Sequence, residues 1–247
     1  MKRLLGQLDA LLRARTTDAP TDGEPFAGPP KRLLLAMALA LGGVYGAFMG
    51  WYAVRVAGFE GLAQLASTTV KLPLLFLLTL AVTFPSLYVF NTLLGSRLTF
   101  PATLRLALGW ITVMLAVAAS LGPILGFFTI SADSYIFIVI LNVILLGLSG
   151  VVGCGALLQR LRSPAAQWIP RDSATKAPPT IVYQPADVGR QTLFVWIVVF
   201  GVVGLQMAWV MRPFIGAPGE EFAILRPTGS HIFAALLRLA RVAAGAP

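Results

Sequence analysis

The chain has 247 residues, 57% of them hydrophobic and only 12% charged, with 19 Lys and Arg against 10 Asp and Glu for a net charge of +9. Such a balance lies outside the range of soluble domains. The basic residues fall between long apolar runs rather than in one patch, which argues against a nucleic-acid partner.

Residues 4–15 set Leu4, Leu5, Leu8, Leu11 and Leu12 at helical spacing, with Lys2, Arg3, Arg13 and Arg15 around them. This predicts an amphipathic basic helix, suited either to an anionic leaflet surface or to packing on a partner. Residues 16–30, rich in Pro, Gly, Thr and Asp, read as a linker. Five stretches then run without one Asp, Glu, Lys, Arg or His: 33–54, 72–94, 106–130, 135–158 and 192–211. A hydrocarbon core about 30 Å thick needs about 20 apolar residues of helix to cross it, so each is long enough. The expected fold is therefore all-α, a polytopic membrane protein of five transmembrane helices with amphipathic N- and C-terminal helices. Residues 1–32 form the cytoplasmic helix and linker, 33–211 the membrane domain, and 212–247 an extramembrane loop and tail helix.

Between the spans, 55–71 carries Phe59, Leu62 and Leu65 and reads as an interfacial segment or a helical elbow. Pro85 should kink the second span, because it removes one backbone hydrogen bond. Gly95 to Pro101 form a tight basic turn, with Thr103 as a cap for the third span. Ser131 to Ser134 leave room only for an antiparallel hairpin. The loop 159–191 offers Trp168 and Tyr183 as interfacial anchors. Arg212-Pro213 ends the fifth span, and Ser230 caps a last helix with Ile232, Phe233, Leu236, Leu237 and Ala240 on one face.

Lys and Arg concentrate on the cytoplasmic side of membrane proteins. With the N-terminus inside, 13 of the 19 basic residues are cytoplasmic and 6 are not. The expected topology is N-terminus in and C-terminus out, with the tail periplasmic. Arginine outnumbers lysine 15 to 4, and alanine is abundant, which suggests a GC-rich bacterium and hence its cytoplasmic membrane.

Gly42, Gly46 and Gly50 lie four apart in the first span, and Gly147, Gly150 and Gly153 form a similar strip in the fourth. Small residues at this spacing let helices approach closely, either within the bundle or across a homodimer. Asn142 and Gln206 lie deep enough to need partners and fit interhelical hydrogen bonds better than a solute path. Arg212, Glu220, Glu221 and Arg226 are either a partner-contact cluster or a solvated loop with ordinary pairing.

The spans hold no Asp, Glu, Lys, Arg or His, which speaks against proton coupling and voltage sensing. One cysteine, Cys154, and one histidine, His231, exclude a disulfide within the chain, a thiolate metal cluster and bis-histidine haem. No hydrolase motif or phosphate loop is present, and neither enzyme activity nor a cofactor is expected.

Lys71-Leu72-Pro73, Gly95-Ser96-Arg97-Leu98-Thr99-Phe100 and Leu104-Arg105, with the short third link, resemble the core of bacterial Yip1-type small membrane proteins. The resemblance covers residues 71–162 and implies a multi-pass bundle with a cytoplasmic N-terminal region. Eukaryotic members of that family are implicated in membrane trafficking. The segment from Arg212 to Pro247 departs from its five-span pattern. The functional expectation is a non-enzymatic protein that organises a membrane or serves as scaffold or accessory subunit of a larger complex. Its partners would be anionic lipid headgroups and other membrane subunits, or further copies of itself. The alternative is a small-solute channel or permease component.

Overall fold

The computed structural model describes residues 29–93, 100–162, 186–216 and 222–225, together with Gly6. Among the described residues the chain forms five long helices and no strand: α1 (Lys31–Ala57), α2 (Gly61–Leu93), α3 (Phe100–Ser131), α4 (Tyr135–Arg162) and α5 (Ala186–Val210). Three apolar helical stretches have the length and composition to cross a membrane: Lys31–Phe90 with 60 residues, Thr103–Ser131 with 29 and Tyr135–Ala156 with 22. Phe194–Val210 is a shorter apolar helix. A membrane protein is what this composition requires, since water would face apolar side chains on most sides of these helices.

The 60-residue stretch is not one rod. Gly58 adopts a left-handed φ of 58° and its N–H closes on the Val54 carbonyl, which ends α1. Only glycine takes that conformation without a steric penalty. A single 3-10 turn, Gly58–Glu60, then leads directly into α2. A Cβ added to Gly42 would meet Pro73 at 2.8 Å, one on Gly46 the Thr68 carbonyl at 2.6 Å, and one on Gly50 the Leu65 Cα at 2.7 Å. Partner numbers fall as glycine numbers rise, so α1 and α2 are an antiparallel hairpin in backbone contact.

The other helices follow from similar markers. Thr112 Oγ1 donates to the Leu34 carbonyl at 3.2 Å, and Gly122 and Gly126 face the Phe48 ring, so α3 runs parallel to α1. Residues 132–134 reverse the chain, and Gly153 of α4 comes back against Trp110 and Met114. Gly204 of α5 faces Thr79, while Trp196 Nε1 donates to the Thr83 carbonyl at 3.1 Å, which sets α5 antiparallel to α2. Tyr45, Leu72, Ile111, Leu115, Leu125 and Ile138 form the buried centre, and Trp110, Trp196 and Phe200 stack edge-on where α3 meets α5.

Several boundaries differ from the sequence reading: α4 runs on to Arg162 and α5 starts at Ala186, both inside the stretch 159–191 that reads as a loop. The segment 55–71 takes the helical-elbow form, with helix on either side of the one turn that Gly58 opens. Thr103 is buried inside α3, which begins at Phe100 with Pro101 in its first turn, where a missing N–H costs nothing. Pro73 joins Pro85 inside α2. The helix at 4–15, the turn at 94–99, the loop at 163–185 and the tail beyond Leu225 lie outside the described residues.

Candidate functional site

The first third of α2 carries Gln64, Thr68 and Lys71 at spacings of four and three, which places them on one helical face. All three are buried, at 4%, 0% and 6% exposure. They face the non-helical chain that leaves α5. Gln64 Nε2 donates to the carbonyls of Pro213 at 3.1 Å and Phe214 at 2.9 Å. Thr68 Oγ1 donates to the Phe214 carbonyl at 2.6 Å. Lys71 Nζ donates to the Pro213 carbonyl at 3.1 Å and to that of Ile224, and stands 6.0 Å from the Phe214 ring centre.

The chemistry of this arrangement is simple. Beyond Val210 the backbone has left the helix, so its carbonyls have lost their internal donors. An amide, a hydroxyl and an ammonium from α2 replace them. Among the described residues no carboxylate faces Lys71, and the ion pair seen is between Arg55 and Asp133 at 2.5 Å. Ser67 Oγ is buried beside this face without a hydrogen-bond partner among the described residues. Arg212 stacks over the Trp209 ring at 3.9 Å.

The hairpin register fixes the height of this cation. Pro73 touches Gly42 and Thr68 touches Gly46, so the Lys71 backbone stands level with residues 43–44, the midpoint of the charge-free segment 33–54. Gln64 and Lys71 reach toward each other and share the Pro213 carbonyl. The ammonium is thereby drawn toward the level of Thr68, roughly 4 Å from that midpoint at 1.5 Å per residue. A window of uncharged residues excludes Lys71 from the second span by definition. The packing sets it level with the middle of the charge-free part of α1.

A second polar contact crosses the core. Tyr45 Oη donates to Asn142 Oδ1 at 2.9 Å, with Asn142 only 4% exposed. At the turn end of the bundle, Arg55 donates to the carbonyls of Thr129 at 2.7 Å and Ala132 at 2.6 Å and pairs with Asp133. It supplies both donors and positive charge where α3 ends. Near Pro85, an open apolar groove of about 410 Å³ runs along Leu77, Phe84, Tyr88, Phe100 and Leu104.

The residues singled out from the sequence scatter over this framework. Gly42, Gly46 and Gly50 are enclosed within the α1–α2 hairpin rather than displayed to a second copy. Gly147 is exposed, with open space where a Cβ would stand, whereas Gly153 meets Met114 and Trp110. Gln206 is half-buried on α5. Arg212 begins the non-helical chain after α5, described at 211–216 and 222–225 and here called the strap, while Glu220, Glu221 and Arg226 lie outside the described residues. Gln64, Thr68 and Tyr45 have no role in the sequence reading, and Lys71 enters it only through the motif Lys71-Leu72-Pro73. The polar spacing 64–68–71 within an apolar helix was the available signal. Among the described residues no three His, Cys, Asp or Glu come together to hold a metal. No protein-family model matches the chain, and comparison with curated proteins and with solved structures finds no match.

Proposed function

We propose that the chain crosses a bilayer five times, on α1 to α4 and on α5 continued by the non-helical chain to Gly216, and acts without catalysis as an organising or accessory subunit of a membrane assembly. The observation that carries this is the contrast between the two sides of α4. Its inner side holds Ile138, Asn142, Leu145 and Ser149, all buried, with Asn142 bonded to Tyr45 and Ser149 to the Leu145 carbonyl. Its outer side presents Ile136, Val143, Ile144, Gly147, Leu148 and Val151. A helix that is apolar and small-faced outward, with its polar groups already partnered inward, suits contact with lipid and neighbouring helices. The lengths of the helices support the crossings: α1 by itself, with 27 residues, spans about 40 Å, and α2, α3 and α4 are longer. The likeness of residues 71–162 to Yip1-type proteins belongs with this proposal and stands on sequence motifs. The N-terminal basic helix would bind the anionic headgroups of the cytoplasmic leaflet of a bacterial inner membrane, and the excess of basic residues supports that orientation.

A channel or permease component is the second reading, and Lys71 is the observation in its favour, because ionisable groups at membrane depth often mark solute paths. Against it, Lys71, Gln64 and Thr68 are all occupied by carbonyls of the chain itself. Purification in mild detergent followed by native mass analysis separates the two. Stoichiometric co-migration with other membrane subunits or with further copies is the expected result. A lone monomer that conducts solute in liposomes would overturn the organising role.

A further inference from the structure

We infer that the chain after α5 re-enters the membrane, with Phe222–Leu225 lying in hydrocarbon and Lys71 as the peg that holds it there. The inference rests on the crossing of the bilayer by α1 and α4 proposed above.

Two described pieces of the strap give its path. From Val210 the chain climbs along α2: Pro213 and Phe214 meet Lys71, Thr68 and Gln64, and Gly216 meets Ala53 and Gln64 close to the α1–α2 turn. Tyr135 Oη, at the start of α4, donates to the Ile215 carbonyl at 3.4 Å and marks the same end of the bundle. Eight residues after Gly216, the Ile224 carbonyl is again at Lys71 Nζ. The chain has therefore gone out to the turn end and come back to the level of Thr68 to Lys71. That level is near the middle of the charge-free segment of α1.

The side chains and the backbone of the returning piece point to different surroundings. Ile224 is 64% exposed, and Phe222 and Leu225 are also exposed. At this height those side chains would face acyl chains. The Ile224 carbonyl turns inward to a charged donor instead. Irregular backbone survives at membrane depth only where protein satisfies its polar groups. A lysine does so with more than one bond: a single ammonium serves Pro213 on the outgoing piece and Ile224 on the returning one. Leucine in its place would strip the Ile224 carbonyl of this donor and leave the Pro213 carbonyl to Gln64 alone. The partner chemistry is thus the acyl region of the bilayer, and the role of Lys71 is positioning.

The test uses the full chain in proteoliposomes, with Cys154→Ala as background and a single nitroxide at Ile224→Cys, Ile144→Cys or Glu60→Cys. Collision with oxygen reports hydrocarbon, and collision with a water-soluble nickel chelate reports water. Ile224 and Ile144 are expected to favour oxygen several-fold, and Glu60, exposed in the α1–α2 turn, to favour nickel. Nickel preference at Ile224 with oxygen preference kept at Ile144 would overturn re-entry and leave the crossings standing. Nickel preference at both would overturn the crossings and the inference together. Lys71→Met should move the Ile224 label toward nickel while Ile144 stays unchanged. If Ile224 keeps its oxygen preference in that variant, Lys71 is not the peg. Thr68→Val, nearly the same shape with one donor fewer, should give the same shift in smaller measure should Lys71→Met fail to fold.

Discussion

Tyr45 and Asn142 show how a single deep polar pair behaves in this chain. Each is almost fully enclosed, so each is the alternative to an unsatisfied group in the other. Hydrogen bonds between membrane helices contribute about 0.6 kcal/mol on average, whereas a buried polar group left unpaired costs about 1–3 kcal/mol. Tyr45→Phe should therefore lower the melting temperature in detergent more than the double variant with Asn142→Leu, measured as a positive coupling in a double-mutant cycle. Arg55 and Asp133 make the opposite case. The Asp133 side chain is 95% exposed, and exposed ion pairs contribute little. Asp133→Ala should leave stability nearly unchanged. Arg55→Ala should be clearly worse, because it also strips the donors from the Thr129 and Ala132 carbonyls. Asn142 announced its need for a partner from the sequence, since an amide deep in an apolar run must find one. Its partner, 97 residues away, had no local signature.

At the scale of the element, the α1–α2 hairpin decides most of the architecture. Gly46 and Gly50 stand where a Cβ would strike backbone, which cannot swing aside as a side chain can, and Gly42 where it would strike the Pro73 ring. Gly46→Ala should separate the two helices, at a cost of about 1–3 kcal/mol typical of overpacking. Gly147→Ala, with nothing within 4 Å of the added carbon, should be neutral or slightly stabilising because alanine favours helix. Comparing the two by thermal unfolding in detergent distinguishes a glycine used for packing from one merely present. Both belong to strips of equal sequence regularity. Which strip is packed depends on the partner helix: Thr68, Thr69 and Pro73 lie against Gly46 and Gly42, while Gly147 faces outward. The threonines of α2 add to this economy. Thr68, Thr79 and Thr83 each bond a carbonyl four residues back, which lets a hydroxyl sit in an apolar interface.

For the whole molecule, the composition already required an all-helical membrane protein. Apolar segments of this length leave the backbone no partner but itself, and a helix satisfies that locally. Charge-free windows therefore mark the apolar helices well, as does the hairpin at 132–134, because each depends on neighbours in sequence, whereas Pro73, Pro85 and Pro123 all lie inside helices. Depth is different. It is a property of a helix relative to the others, and the register of α2 against α1 is set by where Gly42, Gly46 and Gly50 admit Pro73, Thr68 and Leu65. A window that stops at a charge places Lys71 outside the second span. Packing brings it level with the middle of the first, facing carbonyls contributed more than 140 residues later. The sequence by itself determined that apolar helices would form and roughly where, through local hydropathy and backbone self-satisfaction. Only the tertiary structure decided which glycines pack, which amide meets the tyrosine, and that a lysine stands level with the middle of the charge-free part of α1. Those outcomes follow from side-chain fit between segments distant along the chain, and local pattern carries no information about them.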